Sequence, residues 1–569
     1  MMLRSNFEEG TTRWAVRRAQ WRALGITDGE MMRPKIAVIN SSSSLSSCYG
    51  HLDETSRVVQ EAIRAAGGLA FEIRTTAPSD FVTSAGREAR YLLPTRDLIV
   101  NEIEVMVEGA QLDGIVCLSS CDKTTPAHLM ALGRLNLPSL VVIGGYQGHG
   151  FCAGAPVDID DVYESVGAVA AGTMTIPELT ELANNAITGP GVCAGLGTAN
   201  SMHIVAEALG MTMPGSAPVL AASPRMYERA AAAGTRIVEL VKDDIRARDI
   251  MTPTAIDNAI KVVVAVGGSI NTVRHITAIA AETELPVDVV ARLSELQSQV
   301  PLLARVRPNG AHRVGDLERA GGCAAVIAQL GSAFDTTSLS VAGGTIGDHI
   351  LAADAIDATV VRPASDPADT RGGLGVIRGN LAPHGALVKL AAVPKDRSVF
   401  EGPARVYETE KSAMDDVRAG SISPGDVLVL RGMGPKGGPG TVFAAGLVAA
   451  LVGARLSHHV AVVTDGELSG LNSGMTVGQV MPEAADGGPL AAVHDGDGIR
   501  IDLGDMSVTV DLSDDEIERR LAELATVPLP EAPRGWLSMY RQLAAPIYRG
   551  AVLVPPPAIP AEVGGEASK

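Results

Sequence analysis

Three cysteines, Cys48, Cys121 and Cys193, each stand in a small-residue or polar loop that follows an apolar run or precedes a helical pattern. Loops at strand ends are where an open α/β sheet presents ligands, and the three read as ligands of one cluster. The middle one opens the run Cys121-Asp122-Lys123-Thr124-Thr125-Pro126. That run sets a soft thiolate beside a hard carboxylate and an amine, donors that suit an iron-sulfur centre next to a magnesium ion. Three thiolates hold a cluster and leave one iron position for a substrate oxygen, where four would close it. An open iron site beside a hard cation is equipped for Lewis-acid removal of water. Cys193 lies in the stretch Gly191 to Asn200, where glycines allow close backbone approach and Thr198 or Asn200 can cap the following helix. Of the other cysteines, Cys117 sits inside the strand-like run Gly114 to Leu118 and reads as core. Cys152 and Cys323 have Gly/Ala-rich surroundings without a hard-ligand neighbour. Six cysteines in 569 residues make no disulfide framework.

The elements that must position these loops follow from periodicity. Over the N-terminal part of the chain apolar runs alternate with helical patterns. Lys35 to Asn40 reads as a buried strand ending in the Ser-rich loop that carries Cys48. Val58, Val59, Ala62, Ile63 and Ala66 then recur at helical spacing until Gly67-Gly68. Asp113 to Leu118 and Leu140 to Ile143 are two further strands, flanking a helix that starts near Pro126. This βαβ punctuation predicts a parallel sheet covered by helices. Helices dominate from Asp158 to Arg248, and Lys261 to Val266 reads as another strand, ending in Gly267-Gly268-Ser269-Ile270-Asn271. Near Pro363 to Gly373 the texture turns to Pro, Asp and Gly, a boundary that divides the chain into domains 1–365 and 366–569. Short runs at Asp426 to Leu430, Val460 to Thr464 and Ile499 to Leu503, separated by Gly-rich turns, make the second domain a β-rich barrel or sandwich. The fold class is therefore α/β, with a parallel N-terminal sheet and a C-terminal barrel-like domain.

Composition excludes several functions. The formal charge of -18 argues against nucleic acid, which needs a basic surface, and the 3% aromatic content offers few stacking platforms. Met1 to Trp14 has no signal-peptide core, and the apolar stretch Thr441 to Gly453 is too short to span a bilayer. A cytoplasmic enzyme acting on a small molecule, without nucleic acid or membrane as partner, is the expectation. Gly434 to Gly440 lacks the order of a phosphate loop, since Lys436 precedes most of its glycines. His51 and His149 could touch a substrate carboxylate, although loop histidines are more often only solvated.

Several segments together carry a family resemblance: Cys121 to Ala127, Cys193 to Met202, Gly379 to Lys389, Gly434 to Gly440, Thr464 to Gly470 and Pro482 to Leu490. Their content and order resemble the dihydroxy-acid and sugar-acid dehydratases (IlvD/Edd) over nearly the whole chain, ending at Arg549 to Leu553. The resemblance implies a hydro-lyase that converts a 2,3-dihydroxy carboxylate into a 2-keto acid. It implies an iron-sulfur cluster, usually [2Fe-2S] and in some members [4Fe-4S], on Cys48, Cys121 and Cys193. It implies magnesium on Asp80, Asp122 and a carbamylated Lys123, with Glu88 as the alternative to Asp80 if the register slips. Ser469 matches the family's serine base, and a homodimer or homotetramer is implied.

Departures from the family pattern stand out. The glutamate expected three residues beyond the Gly-Pro-Gly turn, a magnesium ligand in the family, is replaced by Phe443. Glu467 stands where the family more often has arginine, which makes it a candidate to compensate. His384 and the run Arg431-Gly432-Met433-Gly434 are smaller departures. The region Arg17-Arg18 to Trp21 and the stretch Cys121 to Ala127 look like the sugar-acid branch. Arg90 to Pro94 and Gly434 to Gly438 look like the branched-chain amino-acid branch, so substrate stays open between them. A reading from another class is a regulatory cluster-binding paralogue with a degraded magnesium site. Retention of the three cysteines, Asp122, Lys123 and Ser469 argues against it.

Overall fold

The computed structural model describes residues 3–170, 172–350, 352, 356–438, 440–468, 470, 474–524, 532 and 534–553. Strands β1 (Lys35–Asn40), β2 (Leu69–Arg74), β3 (Gly114–Ser119) and β4 (Ser139–Ile143) form a parallel sheet in the order β2-β1-β3-β4. β1, β3 and β4 are buried along their whole length, which is why they read as continuous apolar runs rather than alternating ones. The crossovers are the helices Leu52–Ala65, Leu92–Ala110 and Thr124–Leu135. Cys48 therefore follows the C-terminal end of β1, and Cys121 that of β3. A small antiparallel sheet, β5 (Gly148–Cys152), β6 (Ala155–Val157) and β7 (Ile187–Thr188), leads to the loop that carries Cys193.

The segment Lys261 to Val266 is not a strand. It is the second half of the helix Pro253–Val266, capped by the Thr252 side chain, opened by Pro253 and closed by Gly267 at φ +61°. This helix is buried on almost every side, so its apolar run has no polar face to reveal the helical period, and a short apolar run alone does not separate strand from helix. The cap residues Thr252 and Gly267 were the legible signal.

Beyond residue 370 an eight-stranded barrel closes in the order β10-β11-β12-β13-β9-β8-β15-β14. Its strands are β8 (Gly375–Gly379), β9 (Ala382–Val388), β10 (Val399–Tyr407), β11 (Val427–Leu430), β12 (Ala461–Thr464), β13 (Met475–Met481), β14 (Gly498–Asp502) and β15 (Ser507–Val510). The two-residue period of a strand explains how the barrel both fills itself and docks. Val427, Val429, Ala461 and Val463 point into the barrel core. Leu428, Leu430 and Val462 point outward into the large core shared with the N-terminal sheet and its helices. Continuous apolar packing thus fixes the barrel loops after β11 and β12 against the strand ends that carry the cysteines.

Candidate active site

The cysteine loops are tied together by local polar contacts. Ser120 Oγ donates to the Cys48 carbonyl at 2.5 Å, and Gly191 N donates to the Ser47 carbonyl at 3.0 Å. Thr124 Oγ1 accepts from Ser120 N at 3.1 Å and donates to the Cys121 carbonyl at 3.2 Å, shaping the turn into the helix Thr124–Leu135. The expected capping by Thr198 or Asn200 does not occur: Gly197 is the cap of the helix Thr198–Ala208 and makes no side-chain bond. Asn200 Nδ2 instead donates to the carbonyls of Cys193 at 2.7 Å and Gly195 at 2.9 Å. Asn200 lies inside the helix, past the cap position, so its amide is free to donate back to the preceding loop. Thr198 Oγ1 meets Ser269 Oγ at 2.8 Å.

The three cysteines are brought into one electrostatic group. The Cys121 thiol donates to Cys48, which lowers the Cys48 pKa, while Cys121 itself is raised by that bond and by burial. Burial and the neighbouring Cys48 raise Cys193. Cys117 is a buried strand residue and Cys323 is a buried helix residue, consistent with core roles. Asp80, Cys121 and Asp122 each place a ligand atom within 4.8 Å of the others. Burial and Asp122 push the Asp80 carboxyl well above the usual carboxylate range, and its Oδ1 has no hydrogen-bond partner. Two buried carboxylates this close repel one another unless a proton or cation comes between them. Glu88 is not part of this group; it pairs with Arg90 at 2.7 Å.

Lys123 is fully buried, and burial lowers its pKa. Its Nζ has no hydrogen bond, lying 3.9 Å from Asp122 Oδ2 and 3.4 Å from Glu467 Oε2. The ring of Phe443 is centred 5.8 Å from it. Ser469 lies outside the described residues. Its neighbours are held from both domains: Asn271 Nδ2 donates to the Leu468 carbonyl at 2.9 Å, and Lys389 Nζ donates to that of Gly470 at 2.9 Å.

His51 is an interior structural residue, with Nε2 2.6 Å from the Gly144 carbonyl. His149 is exposed on β5. Three residues of the site escaped the sequence reading. Lys389 is buried, which pushes its amine down to about 7. Asp160, buried beside Gly195 with neither carboxylate oxygen hydrogen-bonded, is pushed up to about 8 by burial and Asp158. Arg274 is buried against Glu467. Only Lys389 carried a signal, as the end of the Gly379 to Lys389 motif; the other two lie in unremarkable helical stretches.

Residues 33–349 match the dihydroxy-acid/6-phosphogluconate dehydratase N-terminal domain and residues 359–551 the C-terminal domain of the same description. The chain belongs to this dehydratase family. Among its relatives, a dihydroxy-acid dehydratase of Methanothermobacter thermautotrophicus is 42% identical over 547 residues, covering 95% of this chain and 99% of the relative. The dihydroxy-acid dehydratase of Dehalococcoides mccartyi is 40% identical, covering 95% and 97%. That of Methanococcoides burtonii is 38% identical, covering 97% and 100%. No described helix is long and apolar enough to cross a membrane.

Proposed function

We propose that the protein is a hydro-lyase that removes water from a 2,3-dihydroxy carboxylic acid to give a 2-keto acid, using an iron-sulfur cluster and magnesium. The observation that carries this reading is that Asp80, Cys121 and Asp122 place ligand atoms within 4.8 Å of one another, with Lys123 Nζ 3.9 Å from Asp122 and the Cys48 loop tied to those of Cys121 and Cys193 through Ser120 and Gly191. The naming of relatives aligned over nearly their whole length favours the dihydroxy-acid branch over the sugar-acid branch.

The donor set fits both groups. Soft sulfurs would hold the cluster, and the hard oxygens of Asp80 and Asp122 would hold the cation. When bound, the two groups supply Lewis acidity toward the departing hydroxyl and positive charge toward the substrate's carboxylate end. The protein's own residues supply the rest. Burial leaves the Lys123 nitrogen poorly suited to a permanent positive charge. Attack of the neutral amine on carbon dioxide forms an N–C bond and releases one proton, giving the anionic oxygen ligand that the family resemblance implies.

Ser469 is the proposed base for the C2 proton. A serine hydroxyl is too weak an acid to act unaided, so neighbouring positive charge must favour its alkoxide. Lys389, with a pKa near neutrality and bonded one residue away, can hold a proton at Nζ there. Loss of the C2 proton and the C3 hydroxyl gives an enol, which tautomerises to the keto acid.

The test is a keto-acid assay of anaerobically purified, cluster-loaded protein with magnesium, on 2,3-dihydroxyisovalerate and a panel of pentonates and hexonates. Turnover of the dihydroxy acid is expected. Silence on every substrate, with the cluster intact, overturns the hydro-lyase reading in favour of a non-catalytic paralogue.

A further inference from the structure

Glu467 is a fully buried carboxylate with no role in the scheme above. It follows β12, and its backbone runs beside Phe443 as a parallel bridge, with Glu467 N donating to the Val442 carbonyl at 3.0 Å and Ala444 N donating to the Glu467 carbonyl at 3.1 Å. Its Oε1 is in ion contact with the buried guanidinium of Arg274, and its Oε2 lies 3.4 Å from Lys123 Nζ. That amine in turn lies 3.9 Å from Asp122, whose ligand atoms group with Asp80 and Cys121. Carboxylates from both domains therefore converge on one buried nitrogen that makes no hydrogen bond. The three buried acids Asp80, Asp122 and Glu467 outnumber the two buried bases Lys123 and Arg274, and a divalent cation bound by oxygen ligands supplies the missing positive charge. Phe443, facing the same nitrogen from the neighbouring bridge position, offers no donor atom. Arg274 fixes one carboxylate oxygen and leaves the other turned toward Lys123.

We propose that Glu467 is the barrel domain's carboxylate ligand to the divalent cation, and that Arg274 is its positioning residue. The cation would then join the two domains, with Asp80, Asp122 and Lys123 on one side and Glu467 on the other. This rests on the cation site proposed above.

The probe is Mn2+, titrated by electron paramagnetic resonance into cluster-loaded wild type, Glu467→Gln, Arg274→Gln and, as a control for the site itself, Asp122→Asn. Affinity is expected to fall at least about tenfold in Glu467→Gln and about tenfold in Arg274→Gln, the range seen when the support of a metal ligand is lost. Cluster absorption should stay unchanged. Wild-type affinity in Glu467→Gln, with affinity lost in Asp122→Asn, overturns the assignment and leaves Glu467 a counter-ion of Lys123 and Arg274. Wild-type affinity in both places the cation elsewhere and removes the underlying site as well. Unchanged affinity in Arg274→Gln alone removes Arg274 as the positioning residue. Should Glu467→Gln fail to fold, the double variant Glu467→Gln/Arg274→Gln removes both charges of the buried pair. Loss of Mn2+ affinity in it supports the proposal, and wild-type affinity overturns it.

Discussion

Asp465 is the hinge on which the barrel side of the site hangs. Fully buried, it accepts Met433 N at 2.8 Å on Oδ1, and Gly432 N at 3.1 Å and Ala484 N at 2.8 Å on Oδ2. One carboxylate thus fastens the loop after β11, the loop after β13 and the start of the loop leading to Glu467 and Ser469. Asp465→Asn keeps the shape but replaces one accepting oxygen with an amide N–H. The less costly orientation keeps the carbonyl oxygen toward Gly432 and Ala484 and turns the new donor against Met433 N–H. A buried donor left unpaired costs about 1–3 kcal/mol, and the two surviving bonds lose the strengthening that charge gives them. A total near 3 kcal/mol follows from those two contributions. For a unit the size of the barrel domain, each kcal/mol lowers the melting temperature by about 2–4 °C. A melt followed by circular dichroism, alongside the keto-acid assay, measures both consequences: a drop of several degrees and a loss of turnover with cluster absorption retained. A variant that melts within a degree of wild type and turns over normally refutes the assignment of Asp465 as the fastening point.

Cys121→Ser should abolish most of the visible absorption of the anaerobically purified protein, and an unchanged spectrum would remove Cys121 as a cluster ligand. Gly195→Ala should lower stability by about 1–3 kcal/mol through overpacking, because a Cβ there would overlap Asp160 Oδ2; cluster loading should fall with it, and a fully loaded variant of normal stability counts against the loop's tight fit. His128, buried with Nδ1 2.7 Å from Ser119 Oγ, is held at about 3 by burial against 6.5 for the free side chain. Between those values the unfolded chain binds the extra proton, so its contribution is complete above about pH 6.5 and is lost as pH falls toward 3. At pH 5 wild type should have lost about 2 kcal/mol relative to His128→Asn, compared with pH 7.5; denaturant titrations of both proteins at the two pH values check it, and parallel curves would refute it.

Much of this protein is local in origin and could be read from the chain. Buried strands of five or six residues, such as Lys35–Asn40 and Gly114–Ser119, announce themselves as apolar runs because every side chain meets core. The loops after these two strands carry Cys48 and Cys121-Asp122-Lys123, and the glycine-rich stretch around Cys193 was equally visible in the chain. The C-terminal half of the helix Pro253–Val266 reads as a strand for the same reason the strands are legible: Val262 to Val266 are all buried, and such a run shows no polar face to distinguish one period from another. What the chain alone left undecided is every relation between distant residues. Arg274 and Glu467 meet only because outward-facing residues of β11 and β12 pack into the N-terminal core, and Lys389 reaches Gly470 only because β9 pairs with β13 as the barrel closes. Residue type and spacing determine which donors are available and which segments carry them; the docking of barrel on sheet, set by side chains far from the chemistry, decides which of those donors share a site.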